Sequence, residues 1–155
     1  MPDCLWIERL RLGDFRNYQS LSIDLDHRPV VLTGPNGAGK TNLLEAVSLL
    51  VPGRGLGRAP FTEMIRRGAP DGWAVNARLN CVEGLVEIGT GFSGNDETSA
   101  RAVRIDGENQ RGPGILGTYT RAVWLTPAVP ALFTASPGQR RQFLEPLTHH
   151  LAPPS

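Results

Sequence analysis

The sequence has few of the features that mark secreted, membrane or strongly charged proteins. Its net charge is +1 over 155 residues, so there is no global electrostatic case for a nucleic-acid or membrane partner. The two cysteines, Cys4 and Cys81, match no metal-binding spacing, and reduced thiols are expected. Asp3 and Glu8 place acidic residues in an N-terminal segment that has no long apolar core, so no signal peptide is expected. No apolar run approaches the ~18 residues that are needed to cross a bilayer. We therefore expect a cytoplasmic protein with one domain.

Lysine is also scarce, and its one position is informative. Lys40 is the only lysine among 16 basic residues, and it lies in a segment that matches the phosphate-loop pattern G-x-x-x-x-G-K-[ST] without mismatch. The apolar run Val30–Leu32 predicts a strand before this loop, and the residues after Thr41 predict a helix. Because a compact ammonium suits a phosphate, this pattern indicates a nucleotide-binding chain.

Each part of the loop has a chemical reason. Its residues are Gly34, Pro35, Asn36, Gly37, Ala38, Gly39, Lys40 and Thr41. The three glycines permit backbone conformations and a close approach that a Cβ would block. The exposed N–H groups form a concave anion cradle at the positive end of the following helix. We expect Lys40 to reach the β- and γ-phosphates of ATP and the Thr41 hydroxyl to hold Mg²⁺.

The first half of the chain predicts two strands and a helix around this loop. The strands are Leu5–Leu12 and Leu21–Asp26, joined as an antiparallel pair through residues 13–20. After the loop, Leu43, Val47, Leu50 and Val51 fall at helical spacing, and Pro52-Gly53 is expected to stop the helix. The Gly/Arg segment 54–58 is either a surface connector or a contact for phosphate or a DNA backbone.

In the second half of the chain, the spacing of apolar residues changes to the alternation that is typical of strands. A short helix is predicted at Phe61–Arg67, followed by strands at 73–81, 85–88 and 102–105 and a turn at Asp106-Gly107. Residues 70–110 are thus expected to form a β-meander separate from the phosphate-loop core. A short buried strand is predicted at 122–125, and Ser136-Pro137 predicts a helix start.

Parts of a complete ATPase are missing from the sequence. No apolar strand downstream of Lys40 ends in Asp or Glu; the nearest, Val103–Asp106, is interrupted by Arg104. The segment Ser136–Gln139 resembles the Ser-Gly-Gly-Gln signature of ABC-type ATPases, but proline replaces its first glycine, which favours an ordinary helix cap. His149-His150 has no further ligands that would indicate a metal site. We expect nucleotide binding without complete hydrolysis apparatus.

Several motifs, in order along the chain, resemble the RecF family of bacterial DNA replication and repair proteins. They are Asp14–Tyr18, Gly34–Ala46, Gly53–Gly55, Ile88–Gly91, Val103–Gly107, Trp124–Pro127 and Ser136–Leu144. The resemblance implies an α/β fold, a P-loop NTPase of the ABC/SMC-like head type, with its N-terminal lobe and an antiparallel β-meander subdomain. It implies a phosphate-loop core at 1–69, the β subdomain at 70–110, and a return strand and the start of a helical domain at 111–155.

The resemblance also implies a function. ATP and Mg²⁺ would be the cofactors, with Asn42, Arg16 and Asn17 near the nucleotide beside the loop. The family is a slow, DNA-dependent ATPase whose ATP-bound homodimer clamps DNA at gaps and assists RecA loading with partners of the recombination-mediator pathway. The chain is expected to be truncated before the helical domain and the acidic strand end, and so inactive in hydrolysis by itself.

Three other readings stay open from the sequence. The chain could be the head of another SMC-like ATPase, although the Phe15–Tyr18 element favours RecF. A P-loop kinase or small GTPase is disfavoured by the continuation Asn42–Glu45, and no specificity residues for a base or acceptor are found. A non-functional truncated remnant is the remaining alternative.

Overall fold

The computed structural model describes residues 5–81, 83–95, 100–125 and Gly138. The chain divides into a compact unit, Met1–Arg121, and a second unit, Ala122–Ser155. Apart from Gly138, the helix predicted from Ser136 lies outside the described residues, and so does the histidine pair His149-His150.

The described residues of the first unit form one antiparallel sheet of six strands in the order β2-β1-β3-β4-β5-β6. The strands are β1 (Trp6–Phe15), β2 (Tyr18–Asp24), β3 (Gly72–Cys81), β4 (Gly84–Ser93), β5 (Ala102–Ile105) and β6 (Glu108–Asn109). Alternation of apolar and polar residues, which predicted most of these strands, is visible as alternating burial along β3 and β4. The period of two therefore assigns one face of the sheet to the core and the other to solvent.

Helix α1 (Lys40–Ser48) provides the apolar surface that covers the core face. Its Leu43 and Ala46 are buried with Leu49 and Leu50, which follow the helix. The strand residues of the same cluster are Leu10, Leu12, Phe15, Trp73, Val75, Ala77, Leu79, Val86, Ile88, Phe92, Val103 and Ile105. Phe15 packs edge-on against Trp73 with ring centroids 5.5 Å apart. This core fixes the helix, and with it the loop before the helix, on the sheet.

The remaining helical segments are short. A 3-10 turn at Phe61–Met64 replaces the longer helix predicted to Arg67, and a second 3-10 turn at Pro113–Ile115 leads into α2 (Leu116–Tyr119). The 3-10 turn and the short helix at residues 113–119 were not predicted, because three or four residues are too few for helical periodicity to show. Within the described ranges, no helix is long and apolar enough to cross a membrane.

Two predicted strands are wrong. Residues 30–32 have no regular secondary structure, and Val30 and Val31 are 54% and 81% exposed. Residues 122–125 also lack regular structure, and Val123 and Leu125 are exposed. An apolar run predicts a tendency to be extended and buried, whereas a strand also requires a neighbour for its backbone hydrogen bonds. Neither segment pairs with any of the six described strands.

The strands predicted before the loop and those predicted after residue 70 belong to one continuous sheet. Strand β3 pairs antiparallel with β1, in a register that joins Leu12 to Val75, so strands from before and after the loop share one sheet. Strand β1 extends to Phe15 and pairs with Tyr18, which shortens the predicted connection of residues 13–20 to a turn at Arg16-Asn17. Local sequence cannot reveal which distant strand a given strand will join.

Candidate nucleotide site

The phosphate loop turns tightly and leads directly into α1. Gly37 and Gly39 have φ of +85° and +95°, a left-handed conformation that other residues rarely adopt, and Gly39 is the N-cap of the helix. Gly34, Pro35, Asn36, Gly37 and Ala38 are all exposed. The Ala38 N–H donates to the Pro35 carbonyl at 3.2 Å, which closes the turn. The loop is thus an open bend with a helix N-terminus at its end.

Lys40 folds back over this bend. Its Nζ donates to the Gly34 carbonyl at 2.5 Å and to the Pro35 carbonyl at 2.8 Å. Both acceptors are neutral, so the ammonium keeps its charge available to an anion that approaches the loop. This placement puts the only lysine of the chain on the loop itself.

The first turn of α1 carries Thr41 and Asn42. The first N–H groups of a helix have no intrahelical partner and concentrate positive partial charge there. No acidic residue lies in this first turn to neutralise that charge. Thr41 is exposed, and a hydroxyl at this point is a suitable oxygen ligand for a hard cation such as Mg²⁺.

The β1–β2 turn packs directly against the loop. The Asn42 Nδ2 donates to Asn17 Oδ1 at 2.8 Å, and the Tyr18 hydroxyl donates to the Gly39 carbonyl at 3.1 Å. A Cβ added at Gly39 would lie 2.5 Å from Asn17 Nδ2. The structure therefore brings Asn17 and Asn42 together beside the loop.

Arg16 of the same turn points elsewhere. Its Nε and Nη2 donate to the two carboxylate oxygens of Glu45, at 2.6 and 2.8 Å, and its Nη1 donates to the Glu63 carbonyl at 2.9 Å. The hydrogen bonds to Glu45 raise the pKa of Arg16 above its usual range. A contact between Arg16 and a nucleotide would require this ion pair to rearrange.

Glu45 is a residue of the site that the sequence did not reveal. It is buried on α1, and it joins the helix to the β1–β2 turn. The Gly/Arg segment closes over it, since a Cβ at Gly57 would lie 2.5 Å from Glu45 Oε1. Glu45 stands within a motif that carried the resemblance, but no spacing rule pairs it with an arginine 29 residues earlier.

Two further residues hold the opposite end of the helical segment. Arg101 is buried and donates through Nη1 to the Leu49 carbonyl and through Nη2 to the Val51 carbonyl, the latter at 2.7 Å. The Thr120 hydroxyl donates to the Leu50 carbonyl at 2.6 Å. Burial lowers the pKa of Arg101 to about 10. These groups donate to three carbonyls that lie just after the last residue of the helix, and the cation suits the negative end of the helix.

The helix ends before the predicted stop. Its last residue is Ser48, and the Leu49 and Leu50 N–H groups donate to carbonyls three residues earlier. The termination is therefore achieved by a tightened turn with side-chain caps, and Pro52-Gly53 follows it.

The nearest candidate for an acidic strand end is a turn residue. Asp106 follows β5 with φ of +49°, and its Oδ1 accepts the Glu87 N–H at 2.8 Å. It starts the tight β5–β6 hairpin with Gly107, as the turn signal predicted. Through Oδ1, the Asp106 carboxylate joins the start of that hairpin to strand β4.

Comparison with known proteins identifies the relatives of this chain. Residues 9–124 match the family model described as an AAA domain. The chain is 52% identical over 153 residues to the DNA replication and repair protein RecF of Rhizobium meliloti (strain 1021), and 51% identical to that of Rhizobium rhizogenes (strain K84). These alignments cover 99% of this chain and 41% of each relative, so the chain spans about two-fifths of their length.

A solved structure supports the same fold. The recombination mediator protein RecF-ATP in the RecFOR pathway superposes with a TM-score of 0.76 at 20% identity, over 92% of this chain and 39% of that one. The predicted fold class, the N-terminal lobe of a P-loop ATPase head with an antiparallel sheet, is confirmed.

Proposed function

Because this chain belongs to the AAA domain family and is homologous to the N-terminal part of RecF, we propose that it binds ATP at residues 34–42. The observation that carries the proposal is the open bend of the loop, with the Lys40 ammonium over it and the N-terminus of α1 at its end. Three sources of positive potential, namely an exposed loop backbone, a helix N-terminus and a lysine, therefore lie next to one another. A triphosphate is the anion that matches them.

The residues present fit both ATP and Mg²⁺. The backbone of Gly34–Gly39 would cradle the phosphates, Lys40 would exchange its two carbonyl partners for phosphate oxygens, and the Thr41 hydroxyl would hold Mg²⁺. Bound Mg²⁺ would supply charge neutralisation between the phosphates. Asn17 and Asn42 would border the nucleotide through their shared hydrogen bond. Arg16 would reach the nucleotide only after it leaves Glu45.

The wider role follows the relatives. We propose that the complete protein acts in DNA replication and repair in the cytoplasm, binds DNA at gaps, forms an ATP-dependent homodimer and assists RecA loading with recombination-mediator partners. Within this chain, residues 1–69 would supply the phosphate-loop core with strands β1 and β2, 70–110 the remaining strands of the sheet, and 111–155 the connection to a helical domain. The similarity of the chain to proteins named for replication and repair supports this assignment.

Isothermal titration of the 155-residue chain with Mg²⁺-ATP tests the nucleotide proposal. The Lys40→Ala variant is expected to lose binding, because the only side-chain cation on the loop is removed. Arg67→Ala is the matched control, since it removes an exposed cation elsewhere and is expected to bind normally. Equal titrations of wild type and Lys40→Ala would refute the site.

Hydrolysis is a separate question with its own measurement. We propose that this chain alone releases no phosphate above background. Asp106, the residue that comes closest to an acidic strand end, is a turn residue whose Oδ1 accepts the N–H of Glu87 on β4. A phosphate-release assay on the pure chain that shows turnover abolished by Lys40→Ala would contradict this.

A further inference from the structure

The solvent face of the sheet, opposite α1, carries a row of aligned polar side chains. Register places Ser22, Arg11, Asn76, Gly89, Arg104 and Asn109 side by side across all six strands. All of them are exposed except Gly89, which is half-buried. We call these six residues the arginine row.

The row differs in charge from the row beside it. There, Arg9 pairs with Asp24 and Arg78 pairs with Glu87, at 2.5 and 2.6 Å. In the described part of the chain, Arg11 and Arg104 form no ion pair with a carboxylate; the Arg104 Nε donates to the neutral amide oxygen of Asn109 at 2.8 Å. No carboxylate of the described residues therefore pairs with these two guanidinium groups.

A shallow cavity of about 200 Å³ joins the two arginines. Its wall includes Arg9, Arg11, Arg78 and Arg104, against a single carboxylate, that of Glu87. Because Gly89 has no side chain, the floor of the cavity is low between Asn76 and Arg104. A Cβ added at Gly89 would lie 2.8 Å from Asn76 Oδ1. The lining is thus cationic and rich in hydrogen-bond donors, as an anion-binding surface requires.

The next row along the strands is formed by small residues. Register aligns Ser20, Gly13, Ala74, Gly91 and Ala102, which leave a low strip beside the arginines. A long ligand can therefore lie across the face without a steric barrier. Strands β1 and β5 are three strand spacings apart, about 14 Å, a distance over which one strand of duplex DNA carries about four phosphates.

We propose that the arginine row is a contact surface for the sugar-phosphate backbone of DNA, with Arg11 and Arg104 each binding a phosphate. The proposal builds on the proposed role in DNA repair and names the surface that would meet the DNA. The occupant is argued from charge complementarity: unpaired guanidinium groups, amide side chains and a flat strip match an extended polyanion. The low net charge of the whole chain does not oppose this, because a local cluster sets the field at its own surface.

The test measures binding of a fluorescein-labelled 30-base-pair DNA duplex to the 155-residue chain by fluorescence anisotropy, at several salt concentrations. Arg11→Gln/Arg104→Gln is expected to weaken binding about tenfold or more at low salt and to lower the slope of log K against log [salt] by about 1.8, for two lost phosphate contacts. Arg67→Gln/Arg111→Gln removes the same charge from exposed arginines elsewhere and is expected to change neither value. Equal losses in both double variants, or no binding by wild type, would overturn the proposal.

Three further measurements distinguish DNA binding at the arginine row from binding at the nucleotide site and from effects on folding. Mg²⁺-ATP titration is expected to be unchanged in Arg11→Gln/Arg104→Gln, so a failure at the arginine row is distinguishable from a failure of the loop. Arg11→Lys/Arg104→Lys should keep the salt slope, and Asn76→Asp, which adds a carboxylate between intact arginines, should weaken DNA binding. If inorganic tripolyphosphate binds the wild-type chain at the arginine row and DNA does not, the surface binds small anions and the DNA proposal is refuted.

Discussion

The ion pair between Arg16 and Glu45 offers the sharpest test of how the site is held together. Replacing Glu45 with Gln preserves the side-chain volume, which matters because Gly57 packs against this carboxylate. The change removes the negative charge and turns one of two acceptors into a donor that faces a guanidinium N–H. Arg16 would then retain the Glu63 carbonyl and one amide oxygen as partners.

The magnitude follows from the burial of the pair. Removing one partner of a fully buried ion pair costs about 3–5 kcal/mol, because a buried charge is left uncompensated. The Glu45 side chain is 7% exposed and that of Arg16 is 24% exposed, so water can partly solvate the orphaned guanidinium. We therefore expect a loss of about 2–3 kcal/mol in the free energy of unfolding. With a typical urea dependence, the unfolding midpoint would fall by about 1 M or more.

Urea unfolding followed by tryptophan fluorescence measures this loss. The double variant Arg16→Gln/Glu45→Gln completes a cycle, and a coupling free energy of at least about 1 kcal/mol is expected. Asp24→Asn is the matched control: it breaks another pair of arginine and carboxylate, with Arg9, but on the solvent face. Exposed pairs contribute little, so its midpoint should not move measurably.

Nucleotide binding provides the second readout of the same variant. The pair ties the β1–β2 turn to α1, and that turn places Asn17 and Tyr18 on the loop. Affinity for Mg²⁺-ATP is expected to fall in Glu45→Gln and to stay unchanged in Asp24→Asn. A coupling free energy near zero, or wild-type stability in Glu45→Gln, would refute the view that this ion pair fixes the turn.

Three other outcomes are expected. Gly39→Ala should weaken both Mg²⁺-ATP binding and stability more than Gly37→Ala does, as measured by parallel titration and urea unfolding. Both glycines have positive φ, but only at Gly39 would the added Cβ also contact Asn17. Equal effects of the two substitutions would contradict this steric argument. Arg101→Met should lower the free energy of unfolding by about 2–4 kcal/mol, because the buried carbonyls after α1 lose their donors, with Arg111→Met as an exposed control that should change nothing. Burial, assisted by the charge of Glu83, raises the pKa of the Cys81 thiol, so less thiolate exists at pH 8. Iodoacetamide should therefore label Cys81 more slowly in the folded chain than in urea, as measured by mass spectrometry. Equal labelling rates would contradict this prediction.

Much of the fold could be predicted because its signals are local. Residues 73–81 alternate strictly, and β3 lies where this alternation placed it. Asp106-Gly107 has the residues that a tight turn needs, and both have positive φ. The loop and the start of α1 likewise follow from residues that are adjacent in sequence. The strand at 30–32 was mispredicted because its apolar residues indicate extension, while pairing depends on a distant neighbour.

By itself, the sequence of this protein determined the phosphate loop, the helix that follows it and most of the strands. These features depend on glycine conformations, side-chain period and turn residues, all of which act over a few positions. The tertiary structure decided which distant residues meet, Glu45 with Arg16 and Arg101 with the end of the α1 segment, and it aligned Arg11 with Arg104 across the sheet. Such partnerships depend on strand order and register, because hydrogen bonds and ion pairs act over a few ångströms in space between groups that lie far apart along the chain.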